Sequence, residues 1–249
     1  MPHILILGGT TEASALANAL ADRAIPATLS YAGRTTAPRG QPMAIRIGGF
    51  GGVAGLVGYL RDNEVTHLVD ATHPFAAQMS AHAVAAAADI RVPMIALTRP
   101  AWQPIAGDRW SQVADIAGAV AALDRPPCRV LLALGRMHVD AFAVQPRHHY
   151  LLRFVDAPDV PPPLPHHHLV IDRGPFTVDS DRRLMEEHGI DLIVSKNAGG
   201  TGAAAKLTAA RQLGLPVVMI DRPILPVRHE VNSVAAVLDW LGHDADRGV

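Results

Sequence analysis

Three short segments carry residue types that chemistry needs. The first, Gly8-Gly9-Thr10-Thr11-Glu12, breaks the apolar run His3 to Leu7 and enters the Ala/Leu-rich stretch Ala13 to Ala21. Such a strand-to-helix turn presents backbone N–H groups and the positive end of a helix dipole to a phosphate. It departs from the G-x-G-x-x-G spacing, because Thr10 and Ala13 stand where the second and third glycines belong. A plain βα turn without ligand fits the same letters. The second segment follows the strand Ala27-Thr28-Leu29-Ser30 and reads Tyr31-Ala32-Gly33-Arg34-Thr35-Thr36. NAD-binding chains usually carry an acid there for the ribose 2′-hydroxyl. Here a guanidinium flanked by hydroxyls suits a 2′-phosphate through charge-assisted hydrogen bonds, so NADPH is the expected cofactor. The third segment, Asp70-Ala71-Thr72-His73-Pro74-Phe75, puts a carboxylate, a hydroxyl and an imidazole directly after the fourth strand. That is the side on which the nicotinamide end of a dinucleotide lies, and a histidine there is a natural proton donor near neutral pH. The same letters also suit a turn in which Pro74 starts a helix and Asp70 or Thr72 caps it. The expected cofactor residues are Gly8, Gly9, Thr10, Thr11 and Glu12, then Ser30, Ala32, Gly33, Arg34 and Thr35, then Asp70, Ala71 and Thr72, with His73 as the catalytic candidate.

In open α/β sheets ligands bind beyond the carboxyl ends of the strands. Those positions are cationic here: Arg99, Arg136, Arg153, Arg173, Lys196 and Arg222 each follow an apolar run. In a chain of net charge −1 this clustering points to a polyanionic ligand, although pairing with Asp156, Asp172 and Asp221 would account for individual arginines. Ser195-Lys196-Asn197-Ala198-Gly199-Gly200-Thr201-Gly202 is a glycine-rich loop that opens a helix and lets backbone amides approach an anion. It lacks the Gly-Lys-Ser/Thr of a Walker A loop, which speaks against a kinase. The expected substrate contacts are Arg136, Arg173, Ser195, Lys196, Asn197, Gly200, Thr201 and Arg222. No metal is expected at His148-His149 or His166-His167-His168, because neighbouring side chains on a strand alternate faces.

The elements that must position these residues alternate between apolar and Ala-rich runs, the pattern of parallel sheets covered by helices. Strands are expected near 4–7, 27–30, 43–47, 67–70, 94–97, 129–134, 149–154, 168–172, 191–195 and 217–220. Helices are expected near 11–22, 52–62, 76–89, 111–123, 138–143, 178–188, 202–213 and 231–241. The prolines of Thr98 to Pro104 interrupt this alternation, and each half closes with strand, polar turn, helix, strand and Arg-Pro. The fold class is therefore α/β, two Rossmann-like domains, with 1–98 expected to bind NADPH and 99–249 the substrate.

Only 18% of the 249 residues are charged, which speaks against nucleic-acid or polybasic membrane partners. No apolar stretch approaches the ~20 residues that span a bilayer. The start lacks the basic and apolar regions of a signal peptide, so a cytoplasmic location is expected. The single cysteine, Cys128, excludes an intramolecular disulfide and reads as a passive residue at a strand start.

Taken together, Ile6 to Ala13, Ala32 to Thr35, Val69 to Ala76, Arg173-Gly174-Pro175-Phe176, and Ser195 to Gly202 with Lys206 resemble the precorrin-6A reductases of the cobalamin pathway, in order along nearly the whole chain. The resemblance implies two domains with the active site in the cleft between them, where NADPH reduces one double bond of precorrin-6A to give precorrin-6B. It also implies handover to neighbouring pathway enzymes. The macrocycle's acetate and propionate arms would account for the cationic strand ends. Water, a substrate carboxyl and His73 all stay open as proton donor. A relative acting on the cobalt-containing macrocycle with NADH, another NADPH reductase of a polycarboxylate, and a non-catalytic tetrapyrrole carrier are the alternatives.

Overall fold

The computed structural model describes residues 3–33 and 40–247. The chain forms two compact units, one of Met1–Pro100 with Ile224–Val249, the other of Ala101–Pro223. In chain order the first unit holds β1 (Ile4–Leu7), α1 (Thr11–Ala21), β2 (Ala27–Tyr31), β3 (Ala44–Ile47), α2 (Gly52–Asp62), β4 (His67–Asp70), α3 (Ala77–Ile90) and β5 (Met94–Leu97). The second holds β6 (Arg109–Val113), α4 (Ile116–Ala121), β7 (Arg129–Ala133), a 3-10 segment Arg136–Val144, β8 (His149–Phe154), β9 (His167–Ile171), α5 (Val178–Glu187), β10 (Leu192–Lys196), α6 (Ala205–Gln212) and β11 (Pro216–Ile220). The chain then returns to the first unit with β12 (Glu230–Val231) and α7 (Val234–Arg247).

Both sheets are six-stranded and parallel, in the orders β12-β5-β4-β1-β2-β3 and β6-β11-β10-β7-β8-β9. Read from β3 or from β9, five strands follow the 3-2-1-4-5 order of the doubly wound dinucleotide fold. The sixth position is exchanged. β6 follows β5 in sequence but joins the second sheet beside β11, while β12 follows β11 but joins the first beside β5.

Ile4, Leu5, Ile6 and Leu7 are buried because β1 lies in the middle of a sheet covered on both faces. Ile4 and Ile6 face α1 and α7 through Leu16, Leu20, Val237 and Leu241, and Leu5 and Leu7 face α2 and α3 through Leu56, Leu60, Ala83 and Ala86. In the second unit Leu131, Ile193, Val217 and Met219 meet Met185 of α5 and Leu207 of α6. Among the described residues no helix is long and apolar enough to cross a membrane.

Three expectations need correction. Residues 224–249 do not belong with the second unit as the 99–249 boundary required. Ala96 N–H donates to His229 O at 2.8 Å and Thr98 N–H to Val231 O at 2.9 Å, and α7 buries Val237 against the first core. The helix expected over 111–123 is split. Arg109–Val113 pairs with Pro216–Ile220 as a strand, and α4 starts only after Asp115, whose side chain caps it by accepting from Gly118 N–H. The helix expected over 138–143 is the 3-10 segment.

Candidate active site

Strand register gathers the first-unit candidates at one sheet edge, with Leu7 opposite both Ser30 and Asp70. Thr10 is the N-cap of α1: its hydroxyl accepts from Ala13 N–H at 3.1 Å and donates to Ala71 O at 2.7 Å. One side chain thus ties the turn after β1 to the turn after β4. A Cβ at Gly8 would come within 2.6 Å of Leu29 Cδ1, so a side chain there would make the Leu29 side chain shift. Gly9 adopts a φ of +115° that L side chains rarely take, and a Cβ there would meet nothing within 4 Å. A helix leaves its first amides without intrahelical acceptors. Ala13 N–H is taken by the cap, which leaves those of Thr11 and Glu12 as first-turn amides without an intrahelical acceptor. The Glu12 carboxylate, which would repel a phosphate there, accepts from Thr11 Oγ1 at 3.1 Å and pairs with Arg99 at 3.0 Å.

At the end of β2, Ser30 is buried and its backbone carbonyl accepts from Gly8 N–H at 2.9 Å. Ala32 and Gly33 follow, exposed, with Gly33 at φ +75°. Arg34 and Thr35 lie outside the described residues.

Asp70 is the most heavily engaged carboxylate of the site. Its Oδ1 accepts from Thr72 N–H at 3.1 Å and Thr72 Oγ1 at 2.7 Å, and its Oδ2 accepts from Ser80 Oγ at 2.6 Å. Arg228 donates to the same Oδ2 at 2.5 Å, in a pair whose side chains are 8% and 1% exposed. Arg228 also holds Glu230 at 2.9 Å. The capping role considered for Asp70 or Thr72 is not what forms: the N-cap of α3 is Ala76, without a side-chain cap bond, and Pro74 lies in the turn before the helix. Half-buried His73 accepts from Phe75 N–H at Nδ1 over 3.2 Å, and its carbonyl accepts from Ala76 N–H at 2.7 Å. With Nδ1 accepting, the neutral ring carries its proton on Nε2, the tautomer needed to donate from that atom.

In the second unit the glycine loop is held from behind. Asn197 Oδ1 accepts from Trp102 N–H at 2.8 Å while its Nδ2 donates to Trp102 O at 3.0 Å, and Trp102 Nε1 donates to Gly200 O at 2.7 Å. Lys206 lies 4.8 Å from the Trp102 ring centre and donates to Ala203 O at 2.8 Å. Arg222 donates through Nε to Asn197 O at 3.0 Å and through Nη2 to Ala198 O at 3.1 Å. Asn197 and Arg222 therefore shape the loop, and Ser195 is fully buried, with its hydroxyl on Lys196 O at 3.2 Å. Lys196 and Gly200 are half-buried and Thr201 is exposed.

The cations of the strand ends sort by partner. Arg153 pairs with buried Asp181 at 2.5 Å and stacks 3.6 Å over Phe176, so its charge is spent inside the fold. Arg173 reaches Asp156 at 3.4 Å and stays 45% exposed, and Arg136 is exposed. Sequence reasoning missed Arg228 and Trp102. Neither has a local motif, and the signal that points to Arg228, a buried acid lacking a partner, exists only after folding.

His148 is a core residue that accepts from Cys128 N–H at Nδ1 and reaches Leu123 O at 2.8 Å through Nε2. Burial pushes the nearby Cys128 thiol pKa up, against a smaller lowering by Arg125, which keeps it a passive thiol. Among the described residues no group of three or more His, Cys, Asp or Glu is placed to hold a metal ion. His168 and His188 stack with ring centres 4.7 Å apart. Burial, then the His168 and Arg129 charges, hold the His188 pKa below its usual 6.5, against a raising contribution from Glu187. Below that pH the unfolded chain binds the proton more readily, so stability is lost as pH falls through the folded value. His188→Asn is expected to shrink the fall in melting temperature between about pH 7 and about pH 5. An unchanged fall would assign the acid sensitivity to other groups.

The family model described as precorrin-6x reductase CbiJ/CobK matches residues 3–242. A protein of Rhodobacter capsulatus named precorrin-6A reductase is 56% identical over 248 residues, covering 100% of this chain and 98% of its own. One of Rhodococcus erythropolis with the same name is 48% identical over 244 residues, covering 97% and 98%. A solved structure described as CobK precorrin-6A reductase superimposes with a TM-score of 0.95 at 56% identity, covering 100% of this chain and 98% of that one.

Proposed function

Because the chain belongs to the precorrin-6x reductase family, we propose that it reduces one double bond of the precorrin-6A macrocycle with NADPH, giving precorrin-6B in cobalamin biosynthesis. The observation that supports this best is the Thr10-capped turn at the edge of a 3-2-1-4-5-ordered sheet, in a chain that the family matches along residues 3–242. The residues present fit a dinucleotide. Gly9 has open space where a Cβ would stand, the Thr11 and Glu12 amides have no intrahelical acceptor, the competing Glu12 charge is neutralised by Arg99, and Asp70 is already satisfied. NADPH bound there supplies the hydride. Gly8, Gly9 and the start of α1 hold its diphosphate, and Arg34 with Thr35 hold the 2′-phosphate.

The protein's own contribution is positioning and charge. Asp70 fixes Thr72 through two hydrogen bonds and thereby the turn that carries His73. His73 keeps a proton on Nε2 for the carbon next to the one reduced. Arg173, Arg136, Lys196 and Thr201 receive the macrocycle's carboxylates, while Asn197 and Arg222 keep the loop in shape.

The test is turnover of precorrin-6A with NADPH and with NADH, in the wild type and in Arg34→Ala. Loss of a charge-assisted hydrogen bond costs about 1.5–3 kcal/mol, so the NADPH KM should rise about tenfold to a hundredfold while NADH use barely changes. Equal losses with both cofactors would reject Arg34 as the 2′-phosphate ligand. Wild-type turnover with NADH alone would reject the NADPH reading.

A further inference from the structure

We propose that Arg46 is a specificity-determining residue of the cofactor site, which binds the adenosine 2′-phosphate at the carboxyl ends of β2 and β3. This rests on the reading that the cofactor is NADPH. The register of β2 and β3 sets Arg46 beside Ser30, at the strand end where the dinucleotide fold recognises the adenosine ribose.

The guanidinium is locked in place. Nη1 donates to Ser30 Oγ at 3.3 Å and to Gly48 O at 2.5 Å, and Nη2 donates to Gly49 O at 2.7 Å. Its face lies 3.7 Å from the Phe50 ring centre and 5.2 Å from that of Tyr59. These partners are carbonyls, a hydroxyl and π-faces, all neutral. Arg99, Arg153, Arg211 and Arg228 each have a carboxylate within ion-pair distance, whereas Arg46 has none among the described residues. Its charge is therefore fixed in orientation and uncompensated among the described residues, and with both Nη1 donors and one of Nη2 engaged, Nε–H and the second Nη2–H are the donors that remain for a phosphate.

The loop from β3 into α2, whose Gly48 and Gly49 carbonyls hold the guanidinium, has no side chain at Gly48, Gly49 or Gly51, and a Cβ at any of them would meet nothing within 4 Å. Holding this loop explains the carbonyl bonds, but it does not need an uncompensated charge beside Ser30.

The experiment is calorimetric titration of the whole chain with NADP+, NAD+ and adenosine 2′-monophosphate, in the wild type, Arg46→Gln and Arg46→Lys. Arg46→Gln is expected to weaken NADP+ and the monophosphate by about tenfold to a hundredfold and to leave NAD+ within about twofold. Arg46→Lys, which keeps the charge but loses the fork, should fall in between. A ligand-free melting curve for each variant, with NAD+ binding, controls for folding. Equal weakening of NADP+ and NAD+ would make Arg46 a loop holder and overturn the proposal, as would NADP+ binding unchanged in Arg46→Gln. A wild type that does not prefer NADP+ over NAD+ would overturn the NADPH reading and this proposal together. A preference retained in Arg46→Gln would remove the proposal alone.

Discussion

Arg228→Met is expected to destabilise the folded chain by about 3–5 kcal/mol, the cost of leaving a buried carboxylate without its cation. Asp70 is 1% exposed and shares Oδ2 between Arg228 and Ser80, so water has no access to replace the guanidinium. The loss should appear as a lower urea midpoint with an unchanged slope. Adding Asp70→Asn is expected to restore at least about half of it, because the amide is neutral, still accepts from Thr72 and can donate to Ser80. A single-variant loss below about 1 kcal/mol would mean the pair is solvated and holds nothing. The arginine is 158 residues from its partner, in the returning segment, so the pair also fastens that segment to the first unit.

The second large effect is expected at His73. If its Nε2–H delivers the proton, His73→Ala should lower kcat by about a hundredfold to ten-thousandfold while NADPH affinity stays close to wild type. His73→Asn separates donor from turn. Its amide oxygen can accept from Phe75 N–H as Nδ1 does, so the entry to α3 is kept while a titrating donor is lost. Wild-type stability with low kcat in His73→Asn would identify a proton donor, and partial recovery of kcat would identify a hydrogen-bonding role. Wild-type kcat with a reduced melting temperature in His73→Ala would reduce the residue to a turn former.

The Asp70-to-His73 segment shows how far letters alone reach. That these residues follow a strand at the carboxyl edge of the sheet was legible, because a strand buried on both faces must be a short continuous apolar run, and what ends it must be polar. For the same reason ten of the twelve strands among the described residues, the parallel-sheet class, the glycine turn into α1 and the family were readable from the order of residues. The two strands missed are β6 and β12. Arg109–Val113 is mostly polar and only half-covered, and Glu230–Val231 is two residues long, so their strand state comes from a partner's open edge rather than from their own pattern.

What the cations do was likewise decided by tertiary structure. Arg153, Arg173 and Arg222 look equivalent in sequence, each just beyond or at the end of an apolar run. Folding gives the first a buried aspartate, the second a half-buried one and the third two backbone carbonyls. Arg46 lies inside a short strand and Arg228 in what reads as a connecting loop, so neither carries a local signal. Local sequence fixes whether a residue is strand, turn or helix through nearest-neighbour burial and capping. Which charge meets which partner depends on contacts between residues far apart in the chain, and those leave no periodicity to read.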